Sequence, residues 1–165
     1  MTVILLSKNK TIILNDLEIN RKYMATTSYN LFVYGSLRSG FRNPAYEYLT
    51  RYFKYSGEAL IKGKFFDAGT HPVAIATEEE HFITGELYSM NSEDEFSWAF
   101  EQLDDYEGVH VLPGELPLYK RELVNVFKNG ETLEAWVYWF NGNTANLPEI
   151  ETGDVMRYLQ QKNQP

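Results

Sequence analysis

Leu31-Phe32-Val33-Tyr34-Gly35-Ser36-Leu37 is the stretch from which the rest of the fold can be worked out. Its first three residues favour a strand buried on both faces. At Gly35 the chain can turn, and a ligand can approach a backbone that carries no Cβ. The amides of Gly35, Ser36 and Leu37 can then point outward together and form a site for an anion. The same residues also suit an ordinary turn that ends a strand, so spacing alone leaves both interpretations open.

The composition predicts one globular domain. The chain has 165 residues, of which 44% are hydrophobic and 23% charged, and this length can bury a sizeable core. Aromatic residues make up 15% of the chain, which favours a β-rich core and pockets lined by rings. Because the chain has no cysteine, disulfides, thiol nucleophiles and thiolate-bound metals are excluded.

The net charge and the lengths of the apolar runs restrict the possible partners and the location of the protein. A net charge of −8 argues against nucleic acid or an anionic membrane as partner, since both require a positive surface. No apolar run is long enough to span a bilayer, and the first residues lack the order of a signal peptide. We therefore expect a soluble protein of the cytoplasm.

The N-terminal segment differs from the rest of the chain. Residues 1–23 carry four basic and two acidic residues, although the chain as a whole is acidic. Met24-Ala25-Thr26-Thr27 resembles a natural beginning. We expect residues 1–28 to be an N-terminal extension, with Met24 as the true or an alternative start, and residues 29–165 to form the domain.

Periodicity and turn residues predict the elements of this domain. The clearest signal is Asn129-Gly130 between two β-like runs, which is typical of a hairpin. Ser92 to Glu95 reads as a capping box at the start of a helix that runs to about Tyr106. The predicted helices are 44–53, 92–106 and 152–161, the last capped by Thr152, and the predicted strands are 3–6, 11–14, 59–66, 73–76, 82–90, 118–127 and 132–140.

The second predicted helix carries one acid on its apolar face. At the helical repeat, Phe100, Leu103 and Glu107 fall within one narrow stripe, whereas Asp104 lies at its boundary. A carboxylate aimed into a core is costly unless it is paired or protonated, and burial moves its pKa toward values useful in acid–base chemistry. The alternative is that Gly108 ends the helix early and Glu107 extends into water.

Several other side chains have two interpretations each. Tyr138 alternates with Trp136 and Phe140 along the second strand of the predicted hairpin, and it serves either a pocket or the core. Arg121 either offsets a ligand charge or holds the strand to an acidic neighbour, and we favour the second role. The three histidines lack the spacing of metal ligands, so we predict no metal site.

Four short motifs together resemble the γ-glutamylcyclotransferase-like family. They are VYGSLR at 33–38, GELY at 85–88, LDDYEG at 103–108 and YKR at 119–121. Their order and spacing match the family, and the resemblance covers residues from about 29 to 140. It implies an α+β fold in which a small mixed β-barrel is flanked by helices.

The same resemblance implies an active site. In the family, the loop that corresponds to Tyr34, Gly35, Ser36 and Leu37 meets a glutamate, here Glu107, in one cavity. Glu107 would be the catalytic acid and base. The loop would bind substrate through its amides, holding either the α-carboxylate or the developing oxyanion, with Tyr34 and Tyr138 as pocket walls. Arg38 or Arg121 would help to offset one substrate carboxylate.

The implied activity is an amide-cleaving cyclisation of a small molecule. The free α-amino group of a γ-glutamyl substrate attacks its own γ-amide carbonyl, which closes 5-oxoproline and expels an amine or amino acid without a cofactor. The resemblance leaves open which amine departs and which oligomer forms. The alternative function is a non-catalytic module that binds a small metabolite on the same fold.

Overall fold

The computed structural model describes residues 3–7, 10–14 and 28–164. Strands β1 (Val3–Ser7) and β2 (Lys10–Leu14) form an antiparallel hairpin, which confirms the strands predicted at 3–6 and 11–14. The proposed start at Met24 lies outside the described residues.

A seven-stranded sheet forms the centre of the domain. Its strands are β3 (Asn30–Val33), β4 (Phe53–Asp67), β5 (Pro72–Ala76), β6 (Phe82–Met90), β7 (Tyr119–Lys128), β8 (Glu131–Phe140) and β9 (Glu149–Ile150). The strand β4 begins directly after a helix and is longer than predicted. After the buried Phe53, residues 54–56 are exposed and give little hydrophobic signal, but they belong to the part of β4 that pairs along β6 with a bulge next to Gly57.

Five of these strands close into a barrel. They follow the order β4-β6-β3-β8-β7, and β7 pairs back onto β4 through Val126 and Phe127. The pair β3–β8 is parallel and the other pairs are antiparallel. The predicted small mixed β-barrel is therefore confirmed. The strands β5 and β9 extend the far end of β4.

The strand β3 is buried on both faces, as predicted. Phe32 belongs to the cluster contributed by all five barrel strands, and Leu31 and Val33 belong to the cluster between the barrel and the helices. All three side chains are at most 5% exposed. Gly85 on β6 is required here, because a Cβ at this position would lie 2.4 Å from the ring of Phe32.

Three α-helices flank the barrel: α1 (Pro44–Tyr52), α2 (Phe96–Glu107) and α3 (Val155–Lys162). Two predicted helix starts are wrong. The side chain of Ser92 makes no capping hydrogen bond, and a short 3-10 turn at Glu93–Glu95 precedes α2. Asp154, rather than Thr152, caps α3, because its carboxylate accepts the Met156 amide.

The predicted hairpin joins β7 to β8. Asn129 and Gly130 have φ angles of 52° and 78°, the left-handed conformation that an Asn-Gly turn between twisted strands requires. The register places Arg121 opposite Tyr138. This pairing brings both residues to the side of the barrel that α2 covers.

Candidate active site

A cavity of about 320 Å³ lies where β3 ends. The loop after β3, the end of α2, the start of α3 and the 70–72 turn surround it. The lining residues are Phe32, Val33, Tyr34, Gly35, Ser36, Leu37, Phe41, Phe65, Thr70, His71, Pro72, Glu107, Tyr119, Tyr138, Val155 and Leu159. The fold therefore brings the loop residues 34–37, Glu107 and Tyr138 to one cavity.

The loop after β3 offers free backbone donors to this cavity. The Arg38 amide donates to the Gly35 carbonyl at 2.9 Å, which closes a tight turn. Within residues 28–164, no protein group accepts a hydrogen bond from the amides of Gly35, Ser36 or Leu37. Successive unpaired amides in a turn form a concave site for an anion or an oxyanion.

Gly35 leaves the predicted space for a ligand at the loop, but the turn does not need its conformational freedom. Its φ angle lies outside the left-handed range, so the turn itself does not need glycine. An added Cβ would meet no atom within 4 Å, although the residue lines the cavity. The missing side chain thus keeps the cavity open beside the free amides.

The buried carboxylate of Glu86 on β6 holds the far side of this loop. Ser39 donates to it from its amide at 3.0 Å and from its hydroxyl at 2.7 Å, and the Tyr88 hydroxyl donates at 2.7 Å. Glu86 is 7% exposed. A carboxylate this deep is stabilised only by such partners, and here they fix the position of the loop.

The two arginines of the motifs are occupied by protein carboxylates. Arg38 is 7% exposed and pairs with Asp154 at 3.0 Å, with Glu86 at 3.9 Å. Arg121 lies 3.4 Å from Asp104. Neither arginine lines the cavity. The expectation that one of them offsets a substrate charge is therefore wrong, and the structural role favoured for Arg121 is confirmed.

Glu107 is the last residue of α2, and its side chain lines the cavity. Gly108 does end the helix, with a φ angle of 69°, but Glu107 stays in the last helical turn and lines the cavity, so it does not fray into water as the alternative supposed. Phe100 and Leu103, on the same stripe, are each 1% exposed. Burial raises the pKa of Glu107 to about 7.

Three tyrosines surround this acid. Tyr34, Tyr119 and Tyr138 line the cavity, and the pKa of each is raised by burial first and by the charge of Glu107 as a further cause. The pKa of Tyr119 reaches about 12. All three therefore stay protonated at neutral pH, and Glu107 is the cavity acid that titrates there.

Tyr138 serves the core and the cavity at once. It is 4% exposed, and its hydroxyl donates to Asp104 at 2.7 Å. Asp104 is 5% exposed, although periodicity placed it only at the boundary of the apolar stripe. The sequence signal for its burial was its position one turn before Glu107 on α2, since a second carboxylate near that apolar stripe needs a hydrogen-bond partner.

Other parts of the site carried no sequence signal. The residues Phe41, Phe65, Val155 and Leu159 give the cavity an apolar wall, yet in sequence they read only as core residues. Glu86 lies inside a motif, but its partner Ser39 comes from a loop distant in sequence. Neither contact can be found without the barrel topology.

The described residues include neither a metal-binding cluster nor a membrane-spanning helix. No group of three or more potential ligands among them could hold a metal ion. In the same part of the chain, no helix is long and apolar enough to cross a membrane.

Comparison with protein families identifies the type of domain. The model of the family described as gamma-glutamyl cyclotransferase, AIG2-like, matches residues 31–157. This match runs from β3 into the first turn of α3 and includes every cavity-lining residue except Leu159.

Two curated proteins are similar to this chain. One, named as a candidate gamma-glutamylcyclotransferase from Methanocaldococcus jannaschii, is 28% identical over 130 residues, which are 78% of this chain and 96% of that protein. The other is the gamma-L-glutamyl-butirosin B gamma-glutamyl cyclotransferase of Niallia circulans. It is 31% identical over 113 residues, which are 68% of this chain and 67% of that protein.

A solved structure shares the fold. The crystal structure of an AIG2-like protein from Mus musculus superimposes with a TM-score of 0.53 at 21% identity. The match covers 76% of this chain and 88% of the mouse protein. The α+β barrel described above is thus the fold of that protein as well.

Proposed function

Because the chain belongs to the gamma-glutamyl cyclotransferase, AIG2-like family and is a γ-glutamylcyclotransferase-like enzyme, we propose that it converts a γ-glutamyl amide into 5-oxoproline and a free amine, with Glu107 moving the protons. The observation that carries this proposal is one cavity holding a titratable acid and free loop amides. Burial raises the pKa of Glu107 to about 7, and residues 35–37, whose amides have no protein acceptor among residues 28–164, line the same cavity.

The reaction starts with proton removal from the substrate. The α-ammonium group cannot attack until it loses a proton, and the Glu107 carboxylate accepts it. The neutral amine then attacks the γ-carbonyl carbon, which closes the five-membered ring and places negative charge on the carbonyl oxygen. Because nucleophile and electrophile belong to one molecule, the cavity has only to select the cyclising rotamer.

The collapse of this intermediate needs the opposite transfer. Protonated Glu107 gives its proton to the departing nitrogen, the carbon–nitrogen bond breaks, and the carbonyl of 5-oxoproline re-forms. The ring nitrogen loses its second proton to Glu107, which passes it to the free amine. In total two protons move between the nitrogens, and Glu107 returns to the carboxylate. A pKa near the working pH suits a group that must do both.

The loop amides are proposed to bind the α-carboxylate of the substrate. No lysine or arginine side chain is among the cavity-lining residues, and the net charge of the chain is −8. A permanent negative charge in the cavity therefore needs the unpaired amides of Gly35, Ser36 and Leu37. This placement leaves the γ-amide to face Glu107.

The apolar wall of the cavity favours one type of departing amine over another. Phe41, Phe65, Val155 and Leu159 present no charge to the departing group. A leaving amine with an aliphatic chain can bury that chain there at a gain of about 25 cal/mol per Å². A leaving α-amino acid would bring a second carboxylate, which finds no cationic lysine or arginine among the lining residues. We therefore propose γ-glutamyl alkylamines as better substrates than γ-glutamyl α-amino acids.

A substrate panel tests this function. The purified protein is incubated with γ-glutamyl amino acids, γ-glutamyl alkylamines and γ-glutamyl-ε-lysine, and 5-oxoproline is followed by mass spectrometry. The matched control is the N-acetyl form of each compound, which keeps the amide but has no nucleophilic amine. We expect 5-oxoproline from the free amines alone. Release of amine from the N-acetyl compounds would contradict intramolecular attack, and no product from any compound would contradict the proposed activity.

A further inference from the structure

The hydroxyl protons around Glu107 are held by groups other than Glu107. The Tyr138 hydroxyl donates to Asp104 at 2.7 Å. The Tyr34 hydroxyl donates to the Tyr138 carbonyl. A hydroxyl has one proton, so each of these oxygens keeps only lone pairs for the cavity.

Asp104 is itself held in position by Arg121. The Nε atom of Arg121 lies 3.4 Å from its Oδ1 atom. The guanidinium carbon of Arg121 lies 4.8 Å from the centre of the Phe100 ring and 4.9 Å from that of Trp136. A planar cation held between two rings has few alternative positions, so the carboxylate opposite it is held as well.

We propose that Asp104 is a positioning residue: together with Arg121 it holds the hydroxyl proton of Tyr138, so that the Tyr138 oxygen faces Glu107 as a hydrogen-bond acceptor. Tyr138 would then receive a hydrogen bond from protonated Glu107, or from the substrate ammonium before proton transfer. If Asp104 were absent, the Tyr138 hydroxyl could instead donate to the Glu107 carboxylate and hold it in the ionised form.

The other ionisable groups near Glu107 do not duplicate this contact. Tyr34 on the β3 end has its proton on a carbonyl. Tyr119 on β7 lies 3.4 Å from the ring of His71, in the turn before β5. His110, after α2, lies 3.8 Å from Asp104 and 3.1 Å from Asp105. Of the tyrosines around Glu107, Tyr138 is the one whose hydroxyl donates to a carboxylate.

This inference rests on the proposed role of Glu107, but its test does not require turnover. The pKa of Glu107 is measured by NMR in the full-length protein labelled with ¹³C at the glutamate carboxyls, and Glu107→Gln identifies the resonance. Asp104→Leu keeps the approximate volume and removes the acceptor. We expect the pKa of Glu107 to fall by about one unit, which is the effect of one hydrogen bond to a charged group.

Removing a charge from α2 could also lower this pKa directly, so two comparisons separate the causes. Asp105→Leu removes the neighbouring charge from an exposed position and should shift the pKa of Glu107 by much less. In a Tyr138→Phe background, Asp104→Leu should lose most of its effect. If Asp104→Leu does not fold, Asp104→Asn is measured instead. We then expect the pKa of Glu107 to fall about half as far, because a neutral amide oxygen holds the Tyr138 hydroxyl proton less strongly than a carboxylate does.

The proposal is overturned if the pKa of Glu107 does not fall, if Asp105→Leu lowers it equally, or if the fall is the same with Phe at position 138. The assay separates this failure from that of the proposed function. A Glu107→Gln enzyme with full activity would remove Glu107 from the mechanism, whatever the NMR titration showed.

Discussion

At the scale of the residue, Glu107 lies where its carboxylate is poorly solvated. It lies on the apolar stripe of α2, and within the described residues no arginine or lysine pairs with it. Burial is the cause that raises its pKa to about 7. Ionisation therefore costs more in the folded protein than in the unfolded chain, and this cost is what makes the group a usable acid and base near neutral pH.

This cost predicts that Glu107→Gln stabilises the protein at alkaline pH. The folded pKa of the acid lies above its unfolded value, so ionised Glu107 opposes folding above pH 7, and this effect disappears as the pH falls through 7 toward 4.5. At pH 8 we expect the variant to be more stable by roughly 1–3 kcal/mol. Urea denaturation at several pH values measures the difference.

Glu101→Gln is the matched control, because Glu101 lies on the same helix but is exposed. Its stability should differ from the wild type by less than about 0.5 kcal/mol at every pH. A Glu107→Gln variant whose stability difference is absent, or does not change with pH, would show that burial does not perturb this acid.

Gly35 gives a second prediction at this scale. In Gly35→Ala the new methyl meets no protein atom within 4 Å and needs no left-handed backbone, so stability should stay within about 1 kcal/mol of the wild type. The methyl enters the space beside the free amides, and kcat/KM should fall about tenfold or more, equivalent to about 1.4 kcal/mol. Thermal unfolding and steady-state kinetics check the two parts. Unchanged kcat/KM would place the substrate away from this loop.

At the scale of the element, the loop after β3 depends on the strand next to it. Glu86 accepts three hydrogen bonds at the back of the loop, and Arg38 joins the same loop to the cap of α3. The free amides on the cavity side are therefore positioned by a buried charged cluster. Loop residues held from behind in this way are pre-organised for a ligand.

Glu86→Gln should disturb this support. The amide nitrogen of glutamine is a donor, so it cannot accept the hydrogen bonds that Ser39 and Tyr88 now give to the carboxylate. Arg38 would also lose a buried countercharge. We expect a loss of about 3 kcal/mol in the free energy of unfolding and a higher KM. Glu58→Gln is the control, because Glu58 lies opposite Glu86 on β4 and is exposed. Equal melting temperatures for the two variants would contradict the supporting role of Glu86.

Elements with a strong local signal were predicted well, and their ends were not. Asn129-Gly130 specifies its hairpin through backbone conformation alone. The start of α2 was wrong because Ser92, a good capping residue by type, precedes a 3-10 turn instead. Thr152 and Asp154 are both suitable caps for α3, and the ion pair of Asp154 with Arg38, a contact between distant segments, accompanies the observed choice.

At the scale of the whole molecule, the barrel explains which parts of the site the sequence could predict. The buried strand β3 and the inward acid Glu107 each follow from local periodicity. Their meeting depends on the parallel pairing of β3 with β8 and on the packing of α2 across that face. Only the family motifs predicted this meeting. The apolar wall from α3 and the roles of Glu86 and Asp104 depend on contacts between distant segments, so single-sequence patterns could not supply them.

The most direct test of the account compares Glu107→Gln with Glu101→Gln on the best γ-glutamyl amide from the panel. We predict that Glu107→Gln lowers kcat by roughly 10²- to 10⁴-fold with its fold intact by circular dichroism, and that Glu101→Gln keeps wild-type kcat. Formation of 5-oxoproline at the wild-type rate by Glu107→Gln would contradict the central claim.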